Sequence, residues 1–127
     1  MRIDELSVGD WVTYDRDTTP VQIVGLYQRN KQDCVEMSDS HYPEGVIGFV
    51  EYLKPIPLTP EILEKNGWVK IYESTWELGA HRMQQIIKSS FIIYTTDNEV
   101  DFSLYIDAVH ELQRVYKIAG IEKEITL

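Results

Sequence analysis

Residues 55–68 read PIPLTPEILEKNGW, and this stretch separates two parts of the chain with different patterning. Pro55 and Pro57 lack the N–H that a central strand must donate, so β pairing is expected to end at 54–57. Thr59 then offers a side-chain oxygen to an exposed helical N–H. Pro60 suits the first helical position, and Glu61 lies where the helix dipole favours an acid. Leu58, Ile62 and Leu63 supply apolar contacts, and Asn66-Gly67 suits the left-handed backbone that terminates a helix. The stretch predicts a helix over 59–66, about two turns long. A helix this short must be held by packing, which makes the stretch a structural joint.

On its N-terminal side, 1–56 reads as a small all-β unit. LSVGDWVTY (6–14) opens with a Gly-Asp turn and then alternates, and PVQIVGLY (20–27), CVEM (34–37) and GVIGFVEYL (45–53) are β-branched and aromatic. Turn-rich spacers separate them, as expected of a small barrel or strongly bent meander. Gly25 and Gly48 fall inside strand patterns and predict bulges or close crossings.

On the C-terminal side, 57–127 reads as an α+β unit expected to pack with the first as one body. WVKIYES (68–74) and SFIIYTT (90–96) predict strands, with Asp97-Asn98 as a turn. Residues 75–89 fit either a helix, through Trp76, Ala80, Met83 and Ile87, or a strand leading into the next β run. The strand is preferred because only Lys88-Ser89-Ser90 separates Ile86-Ile87 from that run. Tyr105, Val109, Leu112, Tyr116 and Ala119 recur at helical spacing and predict an amphipathic helix over 104–119, ended by Gly120. The tail IEKEITL predicts a short final strand. The fold class expected is thus α+β: an SH3-like barrel or bent meander, a short helix, a small antiparallel sheet and a terminal helix.

The chain has 127 residues and a formal charge of −9. Residues 1–56 hold five basic and ten acidic side chains, and 57–127 hold seven and eleven, so no basic half hides inside the total. Nucleic-acid binding through phosphates relies on clustered cations, so direct binding is not expected. The single cysteine, Cys34, excludes an intramolecular disulfide. No apolar run approaches the roughly 20 residues of a membrane span, and MRIDELSVGDW lacks the apolar segment of a signal peptide. The expected location is the cytoplasm.

Three motifs carry a resemblance: Leu6-x-x-Gly9-Asp10-Trp11-Val12, the joint PIPLTPEILEKNGW, and VHELQRVY (109–116) followed by Gly120. In combination they resemble a set of small uncharacterised proteins common in Bacteroidetes genomes and their phages and mobile elements. The resemblance implies no activity. The N-terminal part is also similar to small SH3-like barrels, which are binding scaffolds more often than enzymes.

No complete catalytic constellation is found. His110-Glu111-Leu112-Gln113-Arg114 departs from H-E-x-x-H because Arg114 stands where the second histidine ligand is required, and a guanidinium does not bind zinc. His41 and His81 lie in predicted loops without partners at ligand spacing. Cys34 sits among Asp33 and Glu36, which disfavour a thiolate, and is read as a buried small apolar residue. The acids Asp15/Asp17, Asp97/Glu99/Asp101 and Glu122/Glu124 lack the glycine and distal Glu of an EF-hand loop and are read as solvated loop charge. No catalytic, cofactor-binding or metal-binding residue is assigned, and no cofactor is expected.

The function expected is a noncatalytic protein-interaction module, an accessory protein of a phage or mobile element. Its partner would be another protein, with a homodimer also allowed. Trp11, Tyr14, Tyr42, Trp76, His110 and Arg114 form the candidate interaction surface. The alternatives are an acidic imitator of nucleic acid that occupies the groove of a nucleic-acid enzyme, and an enzyme with an unrecognised site. Because no ligand set reaches metal-binding spacing, EDTA is expected to leave the melting temperature unchanged, whereas a drop of several degrees would reveal a structural metal.

Overall fold

The computed structural model, which describes residues 1–39, 43–95 and 103–127, shows two five-stranded antiparallel sheets and two α-helices, an α+β architecture. The chain divides into one unit spanning Met1–Ile56 and another spanning Pro57–Leu127.

The first unit contains β1 (Trp11–Tyr14), β2 (Val21–Arg29), β3 (Gln32–Ser38), β4 (Val46–Phe49) and β5 (Leu53–Pro55), in the order β4-β3-β2-β1-β5. The turn before β1 is closed by the buried Asp10 carboxylate, which accepts the Ser7 N–H at 2.8 Å. The Gly9 N–H donates to the Ile23 carbonyl at 2.7 Å, which aligns β1 beside β2. Val12, Val21, Ile23, Val35 and Met37 alternate into the core with Leu6, Val50 and Leu53. A register shift between Ile23 and Gly25 marks a bulge, a feature that bends a sheet.

One expectation needs correction here. The first sheet is not a closed barrel: β4 and β5 are its margins, and no ladder joins them. The strand pairing does end inside 54–57: Leu53, Lys54 and Pro55 pair with Tyr14, Thr13 and Val12, and β5 stops at Pro55. Both follow from one property of proline. At a margin, Pro55 needs a partner on one side only, whereas a second ladder on β5 would require the N–H it lacks.

The second unit contains α1 (Pro60–Lys65), β6 (Val69–Tyr72), β7 (Thr75–Leu78), β8 (His81–Ile87), β9 (Ser90–Thr95), β10 (Ser103–Ile106) and α2 (Val109–Ala119). Its sheet order is β10-β9-β8-β7-β6. Thr59 caps α1 by accepting the Ile62 N–H on its hydroxyl at 3.3 Å, with Pro60 following in the first turn. Gly67 takes φ +90°, in the region that disfavours a side chain, and the Trp68 N–H returns to the Leu63 carbonyl at 3.0 Å. Residues 75–78 and 81–87 are strands of a meander.

The terminal helix is shorter than its periodicity suggests. Residues 103–106 form β10 and pair with β9, with Tyr105 opposite Ile92 and Ile106 opposite Phe91. Tyr105 is 72% exposed instead of lying on a buried stripe. Aromatic and β-branched residues favour a strand here, and the ladder engages backbone groups that a first helical turn would leave unpaired. The tail is not a strand either. Its end is tied to Asn66, which donates its amide N–H to the Thr126 carbonyl at 2.8 Å and accepts the Thr126 N–H at 2.6 Å.

Helix α2 buries Val109, His110, Leu112, Val115 and Tyr116. The Trp68 indole N–H donates to the Tyr116 hydroxyl at 2.7 Å, tying α2 to the residue that follows the α1 turn. Among the described residues, no helix is long and apolar enough to cross a membrane.

Burial pushes the Tyr116 phenol above its ordinary value by penalising the phenolate, and the Trp68 N–H opposes this by favouring it. A raised folded value means that the contribution to stability is fully present below about pH 10 and is lost as pH rises through the folded value. Stability is therefore expected to fall at alkaline pH. Tyr116→Phe should fall less steeply there, while costing about 1–3 kcal/mol at neutral pH because Trp68 loses its acceptor. Denaturant unfolding of both proteins between neutral and alkaline pH measures the difference.

Candidate functional site

Tyr14 ends β1, and alternation from Val12 turns its ring toward the core. The ring crosses to β4 and lies on Gly48, where a Cβ would stand 2.6 Å from it. A side chain at this position would force the ring to shift. The Tyr14 hydroxyl then accepts the Phe49 backbone N–H at 3.2 Å. From this anchor an aromatic row extends outward. Tyr14 meets Tyr52 edge-on, with ring centres 6.0 Å apart, and Tyr52 meets Phe49 at 6.2 Å.

Tyr52 owes its position to a 3-10 turn at Val50–Tyr52, in which Val50 is buried and Tyr52 is turned outward. The Asp15 N–H donates to the Tyr52 carbonyl at 2.8 Å, fixing that turn against the end of β1. Phe49 is 39% exposed and Tyr52 46%, and Ile47 on β4 reaches 64%. Strand alternation places Ile47 and Phe49 on the same side of β4. Asp15, Asp17 and Glu51 are exposed around the aromatic row, with Arg16 and Lys54 interspersed.

This surface contains one of the six residues expected from the sequence. Trp11 is half-buried on β1, one residue out of phase with Val12. Tyr42 lies outside the described residues. Trp76 is not on a surface: it is 2% exposed, donates its indole N–H to Glu64 at 3.4 Å, and packs edge-on against Phe91 at 6.1 Å. His110 is likewise buried, at 7% exposure. Both were expected at an interface, but apolar burial claims Trp76, and His110 falls on the buried side of α2. Arg114 is exposed on α2.

Phe49 and Tyr52 were missed because GVIGFVEYL reads as one continuous strand. The available signal was Glu51, a charge interrupting an apolar run where the chain leaves the strand.

Glu111 accepts the Asp107 N–H at 3.4 Å, and Asp107 accepts the Ser90 hydroxyl at 2.6 Å, so the acid of the H-E-x-x-R sequence bonds the residue that precedes the Ala108 N-cap of α2. The Cys34 thiol is buried and donates to the Gln32 carbonyl at 3.6 Å. Asp17 accepts the Thr19 N–H at 2.9 Å, closing a turn. His41 and the acids Asp97, Glu99 and Asp101 lie outside the described residues. No group of three His, Cys, Asp or Glu side chains gathers at metal-binding distance among the described residues. A recess of about 450 Å³ beside Arg2, Lys31, Asp33 and Glu51 mixes both charges, and Arg2 pairs with Asp4 and Glu5 at 3.4 and 3.3 Å.

Comparison with protein-family models, curated proteins and solved structures finds no match.

The Tyr14–Gly48 contact makes the site sensitive to a single methyl group. Gly48→Ala is expected to cost roughly 1–3 kcal/mol, the range for overpacking a filled site. Replacing Tyr14 by Ala in the same protein should make the added methyl nearly neutral. A double-mutant cycle by denaturant unfolding measures this coupling, and additive costs would show that the ring does not rest on Gly48.

Proposed function

We propose that the protein is a noncatalytic protein-interaction module whose binding surface is the aromatic row of Tyr14, Phe49 and Tyr52 on the first unit. The observation that carries this reading is the exposure of two aromatic rings, with Ile47 beside them, on a rigid support. Large rings held in fixed geometry bury area at low entropic cost, which suits them as anchors for a partner. The sheet, whose first strand pairs with its last, supports kinship with small SH3-like scaffolds. The partner is another protein, and the setting in which we place the module is the accessory machinery of a phage or mobile element.

Affinity capture from the native cell, read by mass spectrometry, tests the proposal against two variants. Phe49→Ala and Tyr52→Ala remove rings that are partly solvent-exposed, so melting should shift by only a few degrees. Capture of the dominant partner should fall at least tenfold in each. Undiminished capture by both variants would refute the aromatic surface, and a basic nucleic-acid enzyme as the dominant catch would favour imitation of nucleic acid instead.

A further inference from the structure

The margins of the two sheets are not protected alike. A margin strand presents unpaired N–H and C=O groups, and proteins ordinarily blunt it with Lys, Pro or a bulge. Strand β5 carries Lys54 and Pro55, and β6 carries Lys70 beside a register shift between Lys70 and Tyr72. Strand β4, Val46-Ile47-Gly48-Phe49, has no charge or proline, and its ladder with β3 runs without a shift. Val46, Ile47 and Phe49 are 42%, 64% and 39% exposed.

The backbone direction of β4 follows from one hydrogen bond. Phe49 donates its N–H to the Tyr14 hydroxyl, which directs that N–H away from Cys34, the residue opposite it on β3. In an antiparallel ladder the pairs alternate, so Ile47, two residues earlier, also points its N–H and C=O away from β3. Among the described residues no strand lies beyond β4. The charged residues nearest β4 along the chain and on β3 are acids: Glu36 stands opposite Ile47, Glu44 precedes the strand and Glu51 follows it. Self-pairing would bring two such acidic units together, whereas a cationic segment gains from their field.

We infer that β4 is a strand-addition site that takes an extended, cationic segment of a partner protein, through the outward backbone of Ile47 and the apolar side chains of Val46, Ile47 and Phe49. The inference rests on the interaction-module reading and names the chemistry of the partner. The incoming strand would lie along Val46 and Ile47 and end where the Tyr14 hydroxyl already holds the Phe49 N–H. Backbone pairing would supply affinity, and alternate cationic and apolar side chains would supply selectivity.

The test titrates the full isotope-labelled chain with the capped peptide Lys-Val-Lys-Val-Lys-Val, the same peptide N-methylated at every backbone amide, and its Glu-Val counterpart. The unmodified Lys-Val peptide should shift the amide resonances of 46–49 and slow exchange of the Ile47 amide at least tenfold. Methylation retains the charge and removes the backbone donors, so it should weaken binding at least tenfold, and the Glu-Val peptide should not bind. Ile47→Pro removes an outward donor without breaking the β3 ladder and should match the effect of methylation, while Ile47→Thr retains the donor and should bind more tightly than Ile47→Pro. Equal binding of the methylated peptide would show attraction by charge alone and overturn the inference, as would absence of any shift at 46–49. Capture of the cellular partner that needs Tyr52 but is indifferent to Ile47→Pro would overturn strand addition and leave the aromatic reading standing. Capture indifferent to Phe49→Ala, Tyr52→Ala and Ile47→Pro alike would remove both.

Discussion

The first sheet has two margins that its backbone does not join, and the contact of the Tyr14 ring with Gly48 spans the gap between β1 and β4. A ring can lie on a strand this closely only where the strand has no Cβ. Once seated, the ring brings its hydroxyl to the Phe49 N–H and its edge toward Tyr52. The aromatic surface is thus a by-product of how an open sheet is held at its seam. The residue that holds the seam also begins the row of exposed rings. A change at Gly48 would therefore disturb stability and the surface together, while the outer rings of Phe49 and Tyr52 are free to vary with less effect on the core.

The second unit uses local anchors of a different kind. The cap at Thr59 closes the start of α1 on Ile62, while the buried Trp68–Tyr116 hydrogen bond and the two bonds of Asn66 to Thr126 each tie a short segment to something distant in sequence. None of these groups is placed as a reactive pair. Glu111 spends its carboxylate on the backbone of Asp107, and Asp107 accepts the Ser90 hydroxyl, so polar chemistry near the start of α2 is consumed by the fold.

The parts of the fold legible in the sequence are those set by near neighbours. Thr59, Pro60 and Asn66-Gly67 act on backbone groups within a few residues, and Gly9-Asp10 closes a turn on Ser7, so local chemistry suffices. The stripe of α2 from Val109 onward is equally local. Tyr105 lay at the same spacing and misled, because helical periodicity over one extra turn is weak evidence against a waiting sheet margin. The β9 ladder engages Tyr105 through Ile92, and nothing near residue 105 records that strand.

The candidate site was the least legible feature, since it depends on separations that periodicity cannot carry. Sequence by itself determined the α+β class, the acidity, the lone cysteine and the incompleteness of the zinc-site pattern, because each is a matter of composition or short spacing. It also raised Tyr14, as an aromatic on a strand. Tertiary structure alone decided that Tyr14 would rest on Gly48, that β5 would pair with β1 and leave β4 exposed, and that Tyr52 would face solvent while Trp76 and His110 would not. The Tyr14 and Phe49 groups that meet are 35 residues apart. Their meeting is fixed by the packing of the whole sheet, and no local preference of either residue encodes it.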